Sequence, residues 1–145
     1  MTSSGLPSGG SGYLWVIQQP DSSATSGLSM KFTAAESFSF GGVGRINSNG
    51  TVSGAINTTI NTASGLVLCT LDSVYAGYTV EWLVYGVANS PYWSWTTGGI
   101  IYLSTNGTMT QTVPTGTDVA VQILGIALSP TKIFFNPQLV QVELA

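Results

Sequence analysis

The 145-residue sequence contains no histidine and a single cysteine, Cys69. Without histidine, the chain cannot form the nucleophile and base pairs that depend on an imidazole. With one cysteine and no histidine, it cannot form an internal disulfide or a zinc site of the Cys/His type. Cys69 lies in the apolar run 66–71, and this position predicts a small, buried core residue.

Charge is also scarce: Lys and Arg number 3, Asp and Glu number 6, and together they make up 6% of the chain, whereas an ordinary domain carries about 25%. No two cations are adjacent, so no basic patch can follow a phosphate backbone, and we expect no nucleic-acid partner. Serine and threonine, with 18 residues each, replace the missing charges. The composition therefore predicts a neutral, polar surface.

The known patterns of catalytic and cofactor-binding residues are missing as well. The six acidic residues are spread singly, whereas a glycosidase needs two carboxylates facing one sugar and calcium needs several oxygen ligands together. The glycine-rich stretch 41–45 lacks the lysine of a phosphate-binding loop, and we interpret it as a bulge or loop. We predict that the chain is not an enzyme and has no catalytic, cofactor-binding or metal-binding residues.

The sequence shows no export signal and no membrane-spanning run. A secretory signal has a positively charged region followed by an apolar stretch. The first fifteen residues contain no Lys or Arg and no apolar stretch. The longest apolar window, 119–128, is interrupted by Gln122 and Gly125 and is too short to cross a bilayer as a helix. We expect no membrane partner.

The pattern after the first residues predicts a single β domain. Gly, Ser and Pro dominate residues 1–12, which we expect to form an extended N-terminal arm. Over residues 13–145, Val, Ile and Thr are abundant and no window has a helical period, so we predict an all-β fold. An antiparallel β-sandwich, jelly-roll-like or barrel domain fits short strands separated by Gly and Pro. The predicted strands are 13–18, 28–33, 37–40, 51–60, 65–71, 78–88, 100–104, 108–112, 118–128, 132–135 and 139–144.

Two local motifs predict hairpins. Asn49-Gly50 and Asn106-Gly107 each lie between strand-like runs, and Asn-Gly supplies the positive φ angles of a two-residue hairpin turn. The flanking residues of the two motifs are also alike. An internal duplication and the chance reuse of the same turn chemistry both explain this likeness.

The aromatic cluster formed by Tyr92, Trp93 and Trp95 is the strongest candidate for a binding site. If these residues lie in a strand, Trp93 and Trp95 point to the same face, where they are suited to stacking on sugar rings or on a partner protein. Burial in the core or in a subunit interface is the alternative. Pro91 favours an edge strand or a loop that leads into one.

The C-terminal half of the sequence resembles the β-modules of tailed-bacteriophage virion proteins. The resemblance covers residues 85–144 and rests on the segments 85–88, 99–104, 107–110, 119–127 and 133–137. Such modules occur in capsid decoration (cement) proteins and in the tips of tail fibres and head fibres. In this pattern, Gly125 is a position where the backbone bends or is closely approached.

The resemblance implies a capsid decoration protein, made in the host cytoplasm and located on the capsid surface of the virion. Proteins of this kind are β-sandwich trimers that stabilise the shell, so the implied partners are the major capsid protein and two further copies of the chain. The arm would suit contact with a capsid subunit or a sister protomer, with Leu6, Pro7 and Tyr13 as candidate partner-binding residues. The alternative is a tail-fibre or head-spike tip that binds a host glycan through Tyr92, Trp93 and Trp95.

Overall fold

The computed structural model describes residues 24–58, 65–138 and 142–144, and these residues form strands and no helix. The prediction of an all-β fold is confirmed. The predicted arm and the predicted strand 13–18 lie outside the described residues, as do Leu6, Pro7 and Tyr13. The strands are β1 (Ala24–Ala34), β2 (Val43–Ile46), β3 (Thr51–Gly54), β4 (Leu66–Cys69), β5 (Thr79–Asn89), β6 (Ile100–Leu103), β7 (Met109–Thr110), β8 (Ala120–Val121), β9 (Ile123–Ala127), β10 (Lys132–Phe135) and β11 (Val142–Glu143).

The two long strands β1 and β5 organise the sheet. They pair antiparallel from Ala24 opposite Asn89 to Thr33 opposite Thr79. On its other edge, β5 pairs first with β4 and then with β10. Two arrangements therefore share β1 and β5: a closed ring in the order β1-β3-β2-β4-β5-β1, and an open sheet in the order β1-β5-β10-β9-β6-β7. The short strands β8 and β11 pair separately.

The ring contains the one departure from the predicted antiparallel pairing among the described strands. β1 and β3 run parallel, with Thr33 opposite Thr51 and Ala34 opposite Val52. β2 lies between them in sequence and pairs antiparallel with β3 on the edge of β3 that is away from β1. The parallel pairing of β1 with β3 closes the ring into a small barrel.

The fold has two apolar cores on opposite faces of the same strands. All four residues of β4 are buried: Leu66 and Leu68 face the open sheet, whereas Val67 and Cys69 face the inside of the ring. The first core lies between β2, β4 and the strands β6, β9 and β10. The second core fills the barrel around Trp82 and includes Cys69. The buried residues of the first core are Val43, Ala55, Leu66, Leu68, Leu83, Ala88, Ile101, Leu103, Ala120, Leu124, Ala127, Ile133 and Phe135.

Cys69 is a core residue, as its sequence context predicts. Its side chain is buried, and its thiol donates a hydrogen bond of 3.5 Å to the Leu71 carbonyl oxygen. Burial raises the pKa of the Cys69 thiol, because the thiolate loses hydration inside the barrel, and the negative charge of Asp72 acts in the same direction. The buried position of Cys69 therefore favours its neutral thiol form, although the hydrogen bond to Leu71 acts in the opposite direction.

Both hairpins are present, but their turns differ from the expected two-residue form. The Asn47 carbonyl accepts a hydrogen bond from Gly50 N–H, and the positive φ lies at Gly50 (85°) and not at Asn49. In the second hairpin, the positive φ likewise lies at Gly107 (80°) and not at Asn106. Each turn is therefore a longer loop that ends on a left-handed glycine.

The asparagine side chains complete these loops in matching ways. Asn49 Oδ1 accepts a hydrogen bond from the Thr51 hydroxyl at 2.7 Å, and Asn106 Oδ1 accepts one from the Thr108 hydroxyl at 2.7 Å. The likeness that the sequence shows at the two motifs thus extends to their hydrogen bonding.

Three sequence predictions about strands are wrong. The stretch 41–45, which we interpreted as a bulge or loop, contributes its last three residues to β2. Residues 37–40 form no strand, and only Phe38 makes an isolated bridge, to Val74. The segment 118–128 is divided at Gln122, whose buried amide Nε2 donates to the carbonyls of Ile123 and Gln138. The ladder shifts register just after it, between Ile123 and Gly125.

Glycines occupy corresponding positions across the open sheet. Gly27 pairs with Gly86, which pairs with Phe135, which in turn pairs with Gly125. At Gly125, φ is 156°, and a Cβ atom would collide with the Phe134 carbonyl oxygen. The prediction of a closely approached backbone at Gly125 is therefore confirmed.

Candidate binding surfaces

The aromatic cluster lies on the loop between β5 and β6, not in a strand. Ser90 N–H bonds to the Thr131 carbonyl and Trp95 N–H to the Pro130 carbonyl, each at 2.9 Å. Trp93 N–H closes a turn onto the Ser90 carbonyl at 3.2 Å. These backbone bonds fix the loop against the turn between β9 and β10.

A side-chain clamp holds the second half of the same loop. The Gln111 amide accepts a hydrogen bond from Thr96 N–H at 2.8 Å and donates one to the Thr96 carbonyl at 2.9 Å. Gly98 N–H bonds to the Ala127 carbonyl at 2.7 Å. The loop is therefore connected to β9 and to the segment after β7.

The side chains of the two tryptophans are partly buried. Trp93 and Trp95 are half-buried and pack against the first core, with their ring centroids 5.7 Å apart. Phe40 continues the cluster at 5.7 Å from Trp93. The structure thus brings both tryptophans together, as the sequence predicts, but it leaves each of them only partly exposed.

Tyr92 differs from its neighbours. Its side chain is 90% exposed, although its backbone N–H is held by the Ser90 hydroxyl. An exposed tyrosine ring on a fixed backbone offers an apolar face and a phenolic hydroxyl at low entropic cost. Of the three aromatic residues named in the sequence analysis, Tyr92 is the one that a ligand can reach on its full face.

A shallow groove of about 210 Å³ runs beside the tryptophans. The backbone of Gly41 and Gly42 and the side chain of Met109 form its other wall. Trp95 Nε1 is buried and has no hydrogen-bond partner within the described part of the chain. The groove combines an apolar wall with little charge, which suits a neutral ligand or a protein side chain better than an ion.

A larger surface lies on the side of the open sheet that faces away from the first core. Its residues lie side by side on neighbouring strands. From β5 to β6, Val87 pairs with Phe134, Phe134 with Ile126, and Ile126 with Ile100. Tyr85 packs its ring edge-on against Phe134 at 5.1 Å and lies opposite Leu28. We call these six residues the outer sheet face: Leu28, Tyr85, Val87, Ile100, Ile126 and Phe134.

Four residues of the outer sheet face are exposed, Val87 and Phe134 are half-buried, and the face is nearly uncharged. Leu28 is 56% exposed, Tyr85 49% and Ile126 39%. Among the described strand residues on this side, the only charged one is Lys132, which lies two positions before Phe134 on β10. Next to Tyr85, the face continues into a groove of about 400 Å³ lined by Met30, Phe32 and other apolar side chains.

The sequence analysis did not identify this face, although the sequence carries a signal for it. Residues 100–103 and 133–135 are apolar at every position, and such runs are typical of strands buried on both faces. In the structure, Ile101 and Ile133 are buried in the first core, whereas Ile100 and Phe134 point to the other side. One residue of each run, Ile100 or Phe134, therefore lies on the outer sheet face.

Two searches of the described residues, one for metal-binding clusters and one for membrane-spanning helices, found none. Within them, no group of three or more Cys, Asp or Glu side chains comes close enough to hold a metal ion. No helix in the same part of the chain has the length and apolar character that a membrane span requires.

Comparison with known proteins assigns no family. No protein-family model matches the chain. A search of curated proteins also finds no match.

Proposed function

We propose that this protein is a capsid decoration protein of a tailed bacteriophage, which binds the outer surface of the shell as a homotrimer and stabilises it. The observation that carries this proposal is the outer sheet face, a neutral apolar surface on a rigid β-sheet. Surfaces of this kind mark protein–protein contacts. The resemblance of residues 85–144 to phage β-modules supplies the kind of particle.

The scarcity of charge supports a permanent structural contact. Few exposed ion pairs are available for salt to screen, so contacts made by this surface depend little on ionic strength. A neutral surface also avoids the desolvation cost of burying charges. Both properties suit a protein that must remain attached to a particle in changing media.

The test is the thermal stability of shells prepared with and without the protein. We expect saturating protein to raise the unfolding midpoint of the shell by several degrees, because a ligand that binds only the assembled state stabilises it. The increase should be similar at about 0.05 and about 0.5 M NaCl. Calorimetry of shells from the phage that encodes the chain gives the midpoint, and an unchanged midpoint at saturation would rule the proposal out.

The number of copies per particle separates this proposal from its rival. A ratio near one per major capsid subunit, or a simple fraction of it, supports decoration of the whole shell. A handful of copies supports the second candidate function, a fibre or spike tip that binds a host glycan. The exposed ring of Tyr92 is the observation that favours this second function.

Replacing Tyr92 with alanine tests the second function without disturbing the core. Because Tyr92 is 90% exposed, we expect Tyr92→Ala to change the free energy of unfolding by less than about 0.5 kcal/mol. For a decoration protein, adsorption of the phage to host cells should also stay unchanged. Tyr75→Ala, which removes an exposed tyrosine elsewhere on the protein, is the matched control.

Loss of adsorption would reverse this choice of function. If Tyr92→Ala lowers adsorption about tenfold, as loss of a stacking contact worth about 1.4 kcal/mol would, and Tyr75→Ala does not, the glycan-binding function is favoured. The Trp93 and Trp95 variants are less suitable for this test, because both side chains pack against the first core.

A further inference from the structure

We propose that Asn106 is a site of spontaneous deamidation, where the folded protein converts the side-chain amide to a carboxylate faster than it does at Asn49. This inference goes beyond the proposed function and does not depend on it. Its basis is the hydrogen bonding of the two Asn-Gly loops, because the chain has no other asparagine followed by glycine.

The reaction needs only water and the protein itself. Hydroxide removes the proton of Gly107 N–H, and the nitrogen attacks Cγ of the Asn106 side chain. A C–N bond forms, the bond from Cγ to Nδ2 breaks, and Nδ2 leaves as ammonia after it takes a proton from water. Water then opens the cyclic imide at one of its two carbonyl groups, which leaves aspartate or isoaspartate. Glycine at the attacking position favours the reaction, because it has no side chain to hinder the approach.

The amide groups of the two asparagines are held in similar ways. Both residues are exposed. Asn106 Oδ1 accepts hydrogen bonds from the Ser104 hydroxyl at 2.5 Å and from the Thr108 hydroxyl at 2.7 Å. Asn49 Oδ1 accepts two from Thr51, one from its N–H at 3.1 Å and one from its hydroxyl at 2.7 Å. Donors on the amide oxygen stabilise the negative charge that this oxygen gains during the attack, so both loops favour the reaction at this atom.

The attacking nitrogens differ between the two loops. Gly50 N–H donates a hydrogen bond of 2.9 Å to the Asn47 carbonyl. Gly107 N–H donates none within the described part of the chain, whereas the N–H groups of the residues on either side of it both bond to the Ser104 hydroxyl. A donated hydrogen bond favours the protonated form of the nitrogen, so it opposes the attack by Gly50. The nitrogen of Gly107 lacks this restraint.

Deamidation at Asn106 changes both the charge and the backbone of the second hairpin. The new carboxylate adds a negative charge two residues before Thr108, which lines the neutral groove beside Trp93 and Trp95. Isoaspartate also lengthens the backbone of the loop, in which the Gly107 carbonyl accepts a hydrogen bond of 3.0 Å from Val43 N–H on β2. The modification therefore acts on the margin of the groove and on a contact between the hairpin and β2.

The test follows the deamidation of both asparagines in the folded, full-length protein. The protein is kept at mildly alkaline pH, and samples are cleaved by a protease that cuts after aromatic residues. Tyr75 and Tyr102 lie between the two motifs, so each motif gives its own peptides. Mass spectrometry measures the converted fraction at each site. We expect Asn106 to convert about two- to tenfold faster than Asn49, the factor that one net hydrogen bond makes in a rate.

The same measurement in urea is the matched control. In the unfolded chain, the two motifs retain only their local sequences, which are Ser-Asn-Gly-Thr and Thr-Asn-Gly-Thr. We therefore expect similar rates at both sites in urea. Isoaspartate in the product identifies the cyclic imide route, because direct hydrolysis of the amide yields aspartate alone.

A variant of Asn106 provides a second measurement. Glutamine would need a ring one atom larger, so we expect Asn106→Gln to reduce the ammonia released by the folded protein to the amount that conversion at Asn49 explains. A preference for Asn106 that disappears in urea would support the inference. Equal rates in the folded protein, faster conversion at Asn49, or a preference that persists unchanged in urea would overturn it.

Discussion

Replacing Gly125 with alanine is expected to lower the free energy of unfolding by at least about 3 kcal/mol, from the combined cost of strained backbone and overpacking. At Gly125, φ is 156°, a conformation that residues with a side chain rarely adopt. The added Cβ would collide with the Phe134 carbonyl oxygen, which is backbone on β10 and cannot rotate away. β9 would have to separate from β10, and the first core lies directly beneath both strands. Urea unfolding followed by circular dichroism measures the loss.

Gly54→Ala is the matched control for this variant. Gly54 also lies in a strand, but its φ is outside the left-handed region, and a Cβ there would meet only the flexible carboxylate of Glu36 at 3.5 Å. We expect the control to change the free energy of unfolding by less than about 1 kcal/mol. Equal effects of the two substitutions would show that the close approach at Gly125 is not what requires glycine there.

The strands that the sequence predicts best are those bounded by strong turn signals. β10 covers 132–135, as predicted, because the apolar run lies between Pro130 and the Asn136-Pro137 pair. β6 was predicted to within one residue for a similar reason, since Gly98 and Gly99 precede it. Local chemistry is sufficient for such strands, whatever their neighbours in the sheet.

β2 was missed because the packing that requires glycine in it involves a residue of another strand. Gly44 lies opposite Gly54 in the hairpin, and a Cβ on Gly44 would collide with the side chain of Val52 on β3. Val43 is fully buried in the first core. A glycine-rich stretch looks like a loop when the side chain that fills the glycine's space comes from another strand.

The position of the aromatic cluster also depended on distant residues. The sequence shows that Tyr92, Trp93 and Trp95 are close together, but their exposure is decided by the loop's hydrogen bonds to Pro130 and Thr131. These bonds turn the tryptophans towards the first core and leave Tyr92 outside. Alternation along a strand, as the sequence analysis considered, would have placed both tryptophans on one face, either open to a ligand or buried in the core or an interface.

The outer sheet face could not be predicted from the sequence without the pairing register of its strands. Apolar residues at every position of β6 and β10 indicate burial on both sides, but they do not show which half of each strand a single chain leaves open. Once Phe134 is paired with Ile126, and Ile126 with Ile100, the exposed side chains form one continuous surface.

Replacing Trp82 with alanine is expected to lower the free energy of unfolding by about 3–5 kcal/mol, because it removes the largest side chain inside the barrel. Trp82 is fully buried, packs edge-on against Phe38 at a centroid distance of 4.9 Å, and donates its Nε1 hydrogen to the Phe32 carbonyl at 3.1 Å. Trp82→Phe retains most of the ring but loses this hydrogen bond, and we expect a smaller loss of about 1–3 kcal/mol. Chemical denaturation of the three proteins gives the values.

The same experiment shows whether the two cores unfold together. Leu83 faces the first core from β5, next to Trp82 in the second, and β4 likewise contributes to both. Because the cores share these strands, we expect Trp82→Ala to shift a single transition to lower urea concentration while its slope stays the same. Tyr92→Ala, which affects neither core, should leave the midpoint in place. Two separate transitions in Trp82→Ala would contradict this coupling, since the first core would then persist after the barrel had opened.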